Sequence, residues 1–364
     1  MHWKTKLMIF AVTVLILGVG YASYVYLSSS SSAQQTLTIY TYSSLFENAP
    51  NVSAVNQSVF GQFERVYHVK INLVRISGTE NMLQTLIRQK NNPQADLVIG
   101  LSNLEAPQAI AAGILLNYTP PNLKYVPSFL VKDLDPSHRL IPYEYSPITI
   151  DYCNVSQQLA SNLSFQTFEN PEIARELVVE NPSIDSTGLS FLLYEIMFYE
   201  YVLHEDWRSW WKSVAPYVDV TATWDSAFTI FPSDSHNFVV SYGTDPAYFE
   251  YFGGYSTCGT AAIHYNGKVY TWLEIEGMGI INGTKHLALA EEFENWFLSE
   301  AVQSQIPEAE WMFPANSQVA LPSVFSSALG ASGTVVLNDF VNNTQVAQNL
   351  TQWIEEWQTI MSSY

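Results

Sequence analysis

The chain is poor in charged residues, and above all in basic ones. Only 13% of its 364 residues are charged, and 15 Lys and Arg face 34 Asp and Glu, which gives a formal net charge of -19. This balance argues against nucleic acid or anionic lipid as a partner, because the acidic chain would repel both. A cationic ligand would instead be attracted.

Motifs of catalysis and of metal binding are also lacking. The sequence has no G-x-S-x-G, H-E-x-x-H, Walker or dinucleotide-binding motif in a credible context. Its seven histidines are scattered without metal-ligand spacing. Glu274 and Glu276 in W-L-E-I-E-G keep a secreted glycan-processing hydrolase open as an alternative, although their spacing on a strand favours a solvated sheet edge. We therefore predict a protein that is not an enzyme and holds neither metal nor cofactor.

Cysteine is scarce, with only Cys153 and Cys258 in the chain. Two interpretations are open. The pair forms a disulfide in an oxidising exterior, or the residues are two inert buried thiols. The sequence does not give the distance between them, which decides the matter.

One long hydrophobic run is present, at residues 7–27, preceded by Lys4 and Lys6. The run is long enough to span a bilayer, and the positive-inside rule places residues 1–6 in the cytoplasm and everything after 27 outside it. A signal peptide cleaved near Gly20-Tyr21-Ala22 competes with a retained signal anchor. We favour the anchor, because apolar residues continue past that position and the Ser-rich segment 28–36 has the composition of a flexible tether.

Eight N-x-S/T sequons support export, and each is a candidate glycan site of a glycoprotein. They begin at Asn51, Asn56, Asn117, Asn154, Asn162, Asn282, Asn342 and Asn349.

Strands and helices alternate along the chain after the tether. Apolar runs predict strands at 37–42, 69–76 and 95–100, and an apolar face predicts a helix that starts near Thr79. Nearly continuous apolar strands indicate parallel sheets covered on both faces, so the predicted class is α/β. The extended, proline-containing segment 140–152 suits a crossover between two lobes.

A strand, a polar turn and a helix follow one another three times, at 74–87, 177–199 and 238–252. In open α/β sheets, ligands bind at the carboxyl ends of strands, where such turns lie. Each turn alone also has the simpler interpretation of a helix cap. Aromatic residues stand beside turns at Tyr42, Trp224, Tyr248 and Trp311, and their faces suit organic cations. Core packing is the alternative for each of them, as it is for Trp207, Trp210 and Trp211.

Several sequence blocks in order carry a resemblance to a known family. They include A-D-L-V-I-G-L-S-N, I-P-Y-E-Y, N-P-S-I-D-S-T-G, T-W-D-S-A-F, V-V-S-Y-G-T-D-P-A-Y and I-P-E-A-E-W-M-F-P. From about residue 37 to its end, the chain resembles the thiamine-binding solute receptors of ABC importers, within the ferric-binding-like class of periplasmic binding proteins.

The resemblance implies a two-lobed α/β periplasmic-binding-protein-like fold with hinge crossovers. Lobe 1 would comprise 37–142 and 280–330, and lobe 2 would comprise 143–279 and 331–364. The lobes would close over thiamine or its phosphates, and the loaded protein, as a monomer, would dock on a membrane permease. The ligand-binding positions implied are Tyr42, Gly78, Thr79, Asp185, Ser186, Trp224, Tyr242, Gly243, Thr244, Asp245, Tyr248 and Trp311.

Two departures from the family pattern concern the polar turns. The family has an acidic residue before Gly in the first turn, where this chain has Ser77-Gly78-Thr79, and a hydroxyl residue in the second, where this chain has Asp185. A carboxylate repels a phosphate, so thiamine itself is the favoured ligand and its phosphates are less so. Ferric iron is disfavoured because the chain lacks adjacent tyrosines. Another cationic or aromatic solute stays an alternative.

Overall fold

The computed structural model describes residues 34–233 and 235–364. The predicted cytoplasmic segment 1–6, the apolar run 7–27 and residues 28–33 of the predicted tether lie outside the described residues. Among the helices of the described part, none combines the length and apolar character needed to cross a membrane.

The strands of the described residues form one large sheet. They are β1 Thr36–Tyr42, β2 Lys70–Ile76, β3 Leu97–Ser102, β4 Ile141–Cys153, β5 Leu177–Glu180, β6 Asp219–Thr221, β7 Phe238–Tyr242, β8 Cys258–Ala261, β9 Ile263–Tyr265, β10 Lys268–Ile280, β11 Phe313–Pro314 and β12 Val335–Val336.

The α-helices surround this sheet. They are α1 Val52–Asn56, α2 Gln62–Tyr67, α3 Thr79–Arg88, α4 Ala106–Ala112, α5 Ser128–Leu134, α6 Gln157–Ala160, α7 Pro171–Ala174, α8 Ser186–Phe198, α9 Arg208–Val214, α10 Trp224–Ile230, α11 Asp245–Phe252, α12 Leu287–Phe297, α13 Glu300–Gln303, α14 Ile306–Ala309 and α15 Asn343–Met361. Short π-helical turns at Gln57–Gly61 and Tyr199–Leu203, and 3-10 turns at Pro121–Tyr125, Phe165–Glu169, Ser323–Ser327 and Leu337–Phe340, complete the set.

The sheet consists of two parallel halves joined in the middle. Its order is β2-β1-β3-β10-β4-β7-β5-β6. Strand β1 pairs in parallel with β2 and β3, and β5 pairs in parallel with β6 and β7. The predicted units of strand and turn are therefore present, and the fold belongs to the predicted α/β class. The sheet is mixed rather than purely parallel, because β10 and β4 run antiparallel to their neighbours.

The two central strands, β4 and β10, connect the halves. Each has 13 residues, and they pair with each other from Trp272 opposite Ile148 to Met278 opposite Ile141. This agrees with the crossover predicted at 140–152. A second crossover, β10, runs beside it.

Each half has its own hydrophobic core. One core joins β1–β3 to residues from α12 to Ala315, and it includes Tyr143 and Ile275 of the crossover strands. The other core joins β5, β7 and α8 to α9 and the C-terminal helix α15. The three tryptophans of α9 and its start, Trp207, Trp210 and Trp211, are at most 1% exposed, as expected for core residues. The two cores give the molecule its two lobes, whose exact bounds stay a prediction.

Two expectations about pairs of residues are decided by the fold. Cys153 at the end of β4 and Cys258 at the start of β8 stand opposite each other and form a disulfide. The expectation that Glu274 and Glu276 form a solvated edge is wrong, because β10 is a central strand and these side chains are 0% and 6% exposed.

Candidate ligand-binding site

A cavity lies between the lobes, where the carboxyl ends of the parallel strands of both halves meet. About 760 Å³ lies between its lining atoms, open solvent at its mouth included. Of the twelve predicted site residues, ten line it: Tyr42, Gly78, Thr79, Asp185, Ser186, Trp224, Tyr242, Asp245, Tyr248 and Trp311. None of the described residues that line it is Lys, Arg or His.

The turn after β2 forms part of the lobe 1 wall. Gly78 has φ +80°, and a Cβ built there would lie 2.7 Å from the carbonyl oxygen of Ile184 in lobe 2. Glycine is required here because the backbone is left-handed and two turns meet closely. Thr79 begins α3, is 5% exposed and lines the cavity. Its hydroxyl group lies beside the buried carboxyl group of Glu105.

The turn after β5 forms the facing part of lobe 2. Asp185 caps α8, since its carboxylate accepts a hydrogen bond of 3.1 Å from the Thr187 N–H. Burial raises the pKa of Asp185 to about 6, and hydrogen bonds from the backbone N–H groups of Trp224 and Thr187 oppose that rise. At neutral pH the carboxylate is therefore mostly ionised, and it lines the cavity.

The turn after β7 contributes only part of its predicted set. The Tyr242 hydroxyl lies 2.8 Å from Thr187 Oγ1 and lines the cavity. Asp245 accepts hydrogen bonds from Ser241 Oγ and from the Tyr242 N–H, and it also lines the cavity.

Gly243 and Thr244 lie behind this surface. A Cβ on Gly243 would lie 2.5 Å from the Leu329 carbonyl oxygen, so this glycine permits a close approach of two backbones. Thr244 is fully buried, and its Oγ1 lies 3.1 Å from Ser146 Oγ. Both residues therefore support the turn and do not reach the cavity.

Aromatic rings form the wall on the lobe 2 side and meet Trp311 from lobe 1. Trp224 stacks on Phe228 with a 4.8 Å centroid distance, and its Nε1 donates to Ser241 Oγ. Tyr248 and Trp311 pack edge to face at 5.3 Å. The Trp311 Nε1 donates to the Asn48 carbonyl oxygen at 3.1 Å and the residue is 3% exposed, so this ring is both part of the wall and tightly packed.

A group of carboxyl and phenol groups lines the cavity on the crossover strands and lobe 1. The Tyr42 hydroxyl lies 2.8 Å from Glu310 Oε2, 3.2 Å from Glu144 Oε1 and 3.2 Å from the Tyr143 hydroxyl. The Tyr143 hydroxyl in turn donates to Glu276 Oε2 at 2.6 Å. We call Tyr42, Tyr143, Glu144, Glu276 and Glu310 the carboxyl cluster.

The surroundings of the carboxyl cluster favour protonated acids. Burial, reinforced by neighbouring carboxylates, raises the pKa of Glu276 and that of Glu310 to about 8. The pKa of Glu144 is raised well above its usual range, by burial first and then by the charges of Glu310 and Glu276. Glu144 and Glu276 are also directly opposite each other on β4 and β10, where two like charges repel.

Sequence reasoning missed the three acids of the carboxyl cluster as site residues. Glu144 and Glu310 lie inside the blocks I-P-Y-E-Y and E-A-E-W that carry the family resemblance. Glu276 was noticed only as a pair with Glu274 and was assigned to a solvated sheet edge, so the two acids in one strand were the available signal. The sequence alone did not show that the three meet, because they come from β4, β10 and the end of α14.

The lobes are in contact over the cavity. Ser43 Oγ donates to Asp225 Oδ2 at 3.0 Å, and the Glu80 N–H donates to the Ile184 carbonyl oxygen at 3.2 Å. Each hydrogen bond joins a segment of lobe 1 to one of lobe 2. The structure therefore shows a closed arrangement.

Two α/β lobes, two crossover strands and an enclosed cleft between them define a protein that binds a small molecule by closing over it. The chain belongs to the family of bacterial extracellular solute-binding proteins, whose sequence profile matches residues 59–331. Members of this family are receptors of transport systems and not enzymes, so the hydrolase alternative is excluded.

Comparison with named proteins shows which members of the family the chain is similar to. A thiamine-binding periplasmic protein of Salmonella typhimurium is 27% identical over 335 residues, which cover 91% of this chain and 94% of the relative. A solved structure of a periplasmic thiamin-binding protein has a TM-score of 0.77 at 23% identity, over 91% of this chain and 98% of that one. A ferric-binding protein of Campylobacter jejuni has a TM-score of 0.70 at 15% identity, over 89% and 99% of the two chains. The two-lobed fold is thereby confirmed.

Proposed function

We propose that the protein binds thiamine between its lobes and delivers it to the permease of an ABC importer. The observation that carries this proposal is a closed cavity lined by aromatic rings and carboxyl groups, with no basic side chain among its described lining residues. Such a site suits a flat organic cation, because ring faces and carboxylates both attract positive charge. Relatives named for thiamine binding support the choice of this cation.

Each part of thiamine has a matching part of the cavity. The thiazolium carries a fixed positive charge, and Trp224, Tyr248 and Trp311 are the rings whose faces attract it. The aminopyrimidine donates and accepts hydrogen bonds, and Asp245 is its candidate partner. The hydroxyethyl group matches the polar turns at Thr79 and Ser186.

Thiamine itself fits this cavity better than its monophosphate. Asp185 lines the cavity, and with a pKa of about 6 it is mostly ionised at neutral pH, so it repels a phosphate dianion. No basic side chain of the described lining offsets that repulsion. We expect thiamine to bind at least as tightly as thiamine monophosphate near neutral pH.

Calorimetric titration with both ligands tests this expectation, and mass spectrometry of small molecules released from the purified protein tests the choice of thiamine. Clear preference for the monophosphate would mean that backbone N–H groups outweigh Asp185. Release of a different aromatic or cationic solute, with no heat on addition of thiamine, would contradict the proposal itself.

We further infer that the protein stays attached to the cell membrane through residues 7–27 and works there as a monomer. Six sequon asparagines are exposed and accessible to glycosylation: Asn51, Asn117, Asn154, Asn162, Asn282 and Asn342. N-terminal sequencing of the native protein tests the anchor. A start near Ser23 in soluble material would show that a signal peptide is removed instead.

A further inference from the structure

The two phenols of the carboxyl cluster have one hydrogen each to donate, but their oxygens make four contacts with other oxygens. The hydroxyl of Tyr42 contacts three oxygens, and that of Tyr143 contacts Glu276 in addition. Each phenol has a single hydrogen to donate. With Tyr143 donating to Glu276 and Tyr42 donating to one glutamate, the remaining glutamate needs a hydrogen of its own. The carboxyl cluster therefore holds at least one proton on its carboxyl groups.

One atom of the cluster is left without a partner. Glu144 is 1% exposed and lines the cavity, and its Oε2 has no hydrogen-bond partner among the described residues. A buried carboxylate oxygen without a partner costs free energy, and this cost adds to the repulsion that favours the protonated form of Glu144. This observation is separate from the count of phenol hydrogens, because Tyr42 contacts the other oxygen of Glu144, Oε1.

The charged and titratable groups around the cluster offer no competing cation inside the cavity. The groups that face it from neighbouring elements are Asp185, Asp225, Glu105, Glu274 and Arg75. Arg75 forms an ion pair of 2.7 Å with Glu47 and donates to the Ser43 and Leu45 carbonyl oxygens. It thus braces the loop after β1 and is not part of the cavity lining.

We infer that Glu144, Glu276 and Glu310 form the subsite for the edge of the positively charged thiazolium ring, whose faces meet the aromatic side chains, and that occupation of this subsite displaces about one proton to solvent. The inference rests on the proposed function, because it takes thiamine as the cation. The cluster then selects against neutral and anionic solutes, which neither replace the protons nor satisfy the carboxylates. No covalent bond forms or breaks, and the displaced proton passes to the buffer.

Affinity should rise with pH if a proton leaves on binding. Burial, with neighbouring carboxylates, raises the pKa of Glu276 and that of Glu310 to about 8, and a bound cation lowers both. Between about pH 6 and about pH 8, release of one proton makes the affinity rise by up to about tenfold per pH unit. Above that range the acids are ionised before the ligand arrives, so the affinity levels off.

Isothermal titration calorimetry of thiamine in phosphate and in HEPES buffer at neutral pH measures the released protons, because the two buffers differ in protonation enthalpy. The wild-type protein should release about one proton per thiamine. Glu144→Gln and Glu310→Gln should each release clearly less and show a flatter pH dependence. Glu294→Gln is the matched control, since Glu294 is 1% exposed in lobe 1 but does not line the cavity.

The wild-type measurement decides the inference even where a variant fails to fold. Binding of thiamine with no proton release, or with an affinity that stays constant over this pH range, overturns the subsite and leaves the proposed function intact. Equal loss of proton release in Glu294→Gln also overturns it, because the effect would then not belong to the cavity. Absence of any thiamine binding overturns the proposed function and this inference together.

Discussion

At the scale of single residues, several side chains that line the cavity also make structural contacts. Asp185 caps α8, Asp245 binds Ser241, and Trp311 fixes the Asn48 carbonyl oxygen, yet all three line the cavity. The sequence offered capping or core packing as the alternative to ligand binding for these residues. A structural contact and a place in the cavity lining are compatible, because a side chain held by one contact is pre-oriented for the next.

The aromatic wall gives a prediction at this scale. Trp224 and Tyr248 are half-buried, so Trp224→Leu or Tyr248→Leu should weaken thiamine binding while the melting temperature of the ligand-free protein changes little. A desolvated cation–π contact is worth about 2 kcal/mol, or about thirtyfold in affinity. Trp311→Leu should lower both quantities, because this ring is 3% exposed.

Calorimetry and thermal unfolding measure the two effects separately. Tyr251→Leu is the control, because Tyr251 is on the same helix, α11, is 45% exposed and does not line the cavity. If affinity survives in Trp224→Leu and Tyr248→Leu while the apo protein loses stability, the rings are core and the site lies elsewhere.

At the scale of elements, the repeated unit of strand, polar turn and helix explains where the cavity lies. The units at β2–α3, β5–α8 and β7–α11 come from different halves of the sheet. Their turns meet because the two halves run in opposite directions, so the carboxyl ends of each half face the other across the cavity. The crossover strands β4 and β10 contribute Glu144 and Glu276 to the cavity lining. The sequence showed neither that the three turns meet nor that these acids lie beside them.

The disulfide between β4 and β8 gives a prediction for the stability of lobe 2. It closes a loop of 105 residues, so removing it should lower the free energy of unfolding by about 2–4 kcal/mol. Chemical denaturation of a Cys153→Ser, Cys258→Ser double variant measures this loss. The reduced wild-type protein is the control and should match the double variant. Equal stability of oxidised and reduced protein would mean that the bond does not form in solution.

At the scale of the whole molecule, closure depends on a tight contact between the lobes at Gly78. Gly78→Ala should weaken ligand binding, because the added Cβ meets the Ile184 carbonyl oxygen and holds the lobes apart. Gly253→Ala is the matched control: Gly253 has φ +66°, and its Cβ would meet nothing within 4 Å. Both variants bear backbone strain, but only one blocks closure.

Small-angle X-ray scattering with and without thiamine measures closure in these variants. Gly78→Ala should stay extended in the presence of ligand, and Gly253→Ala should compact as the wild type does. Compaction of both variants to the same degree would show that this contact does not limit closure.

The buried acids give a prediction for the stability of the ligand-free molecule. Burial raises the pKa of Glu105, Glu274, Glu276 and Glu310 from 4.5 to about 8. Between these values the folded protein keeps protons that the unfolded chain has released, so its stability falls as pH rises through this window. The melting temperature should be several degrees higher at about pH 5 than at about pH 8.

Differential scanning calorimetry of the ligand-free protein tests this pH dependence. Glu105→Gln should flatten the profile in part, whereas Glu172→Gln, at an exposed position, should leave it unchanged. A melting temperature that rises with pH over this range would contradict the assignment of buried, protonated acids.

The sequence by itself determined the α/β class, the strand and turn units, the crossover at 140–152 and the family. These features follow from local patterns and from ordered blocks such as V-V-S-Y-G-T-D-P-A-Y, which one segment carries on its own. Only the tertiary structure decided that Cys153 pairs with Cys258, that Gly243 and Thr244 lie behind the cavity and that Glu144, Glu276 and Glu310 meet. The physical reason is distance along the chain. Tyr143 and its partner Glu276 are 133 residues apart, and the burial that raises the pKa of these acids exists only after both crossover strands are in the sheet.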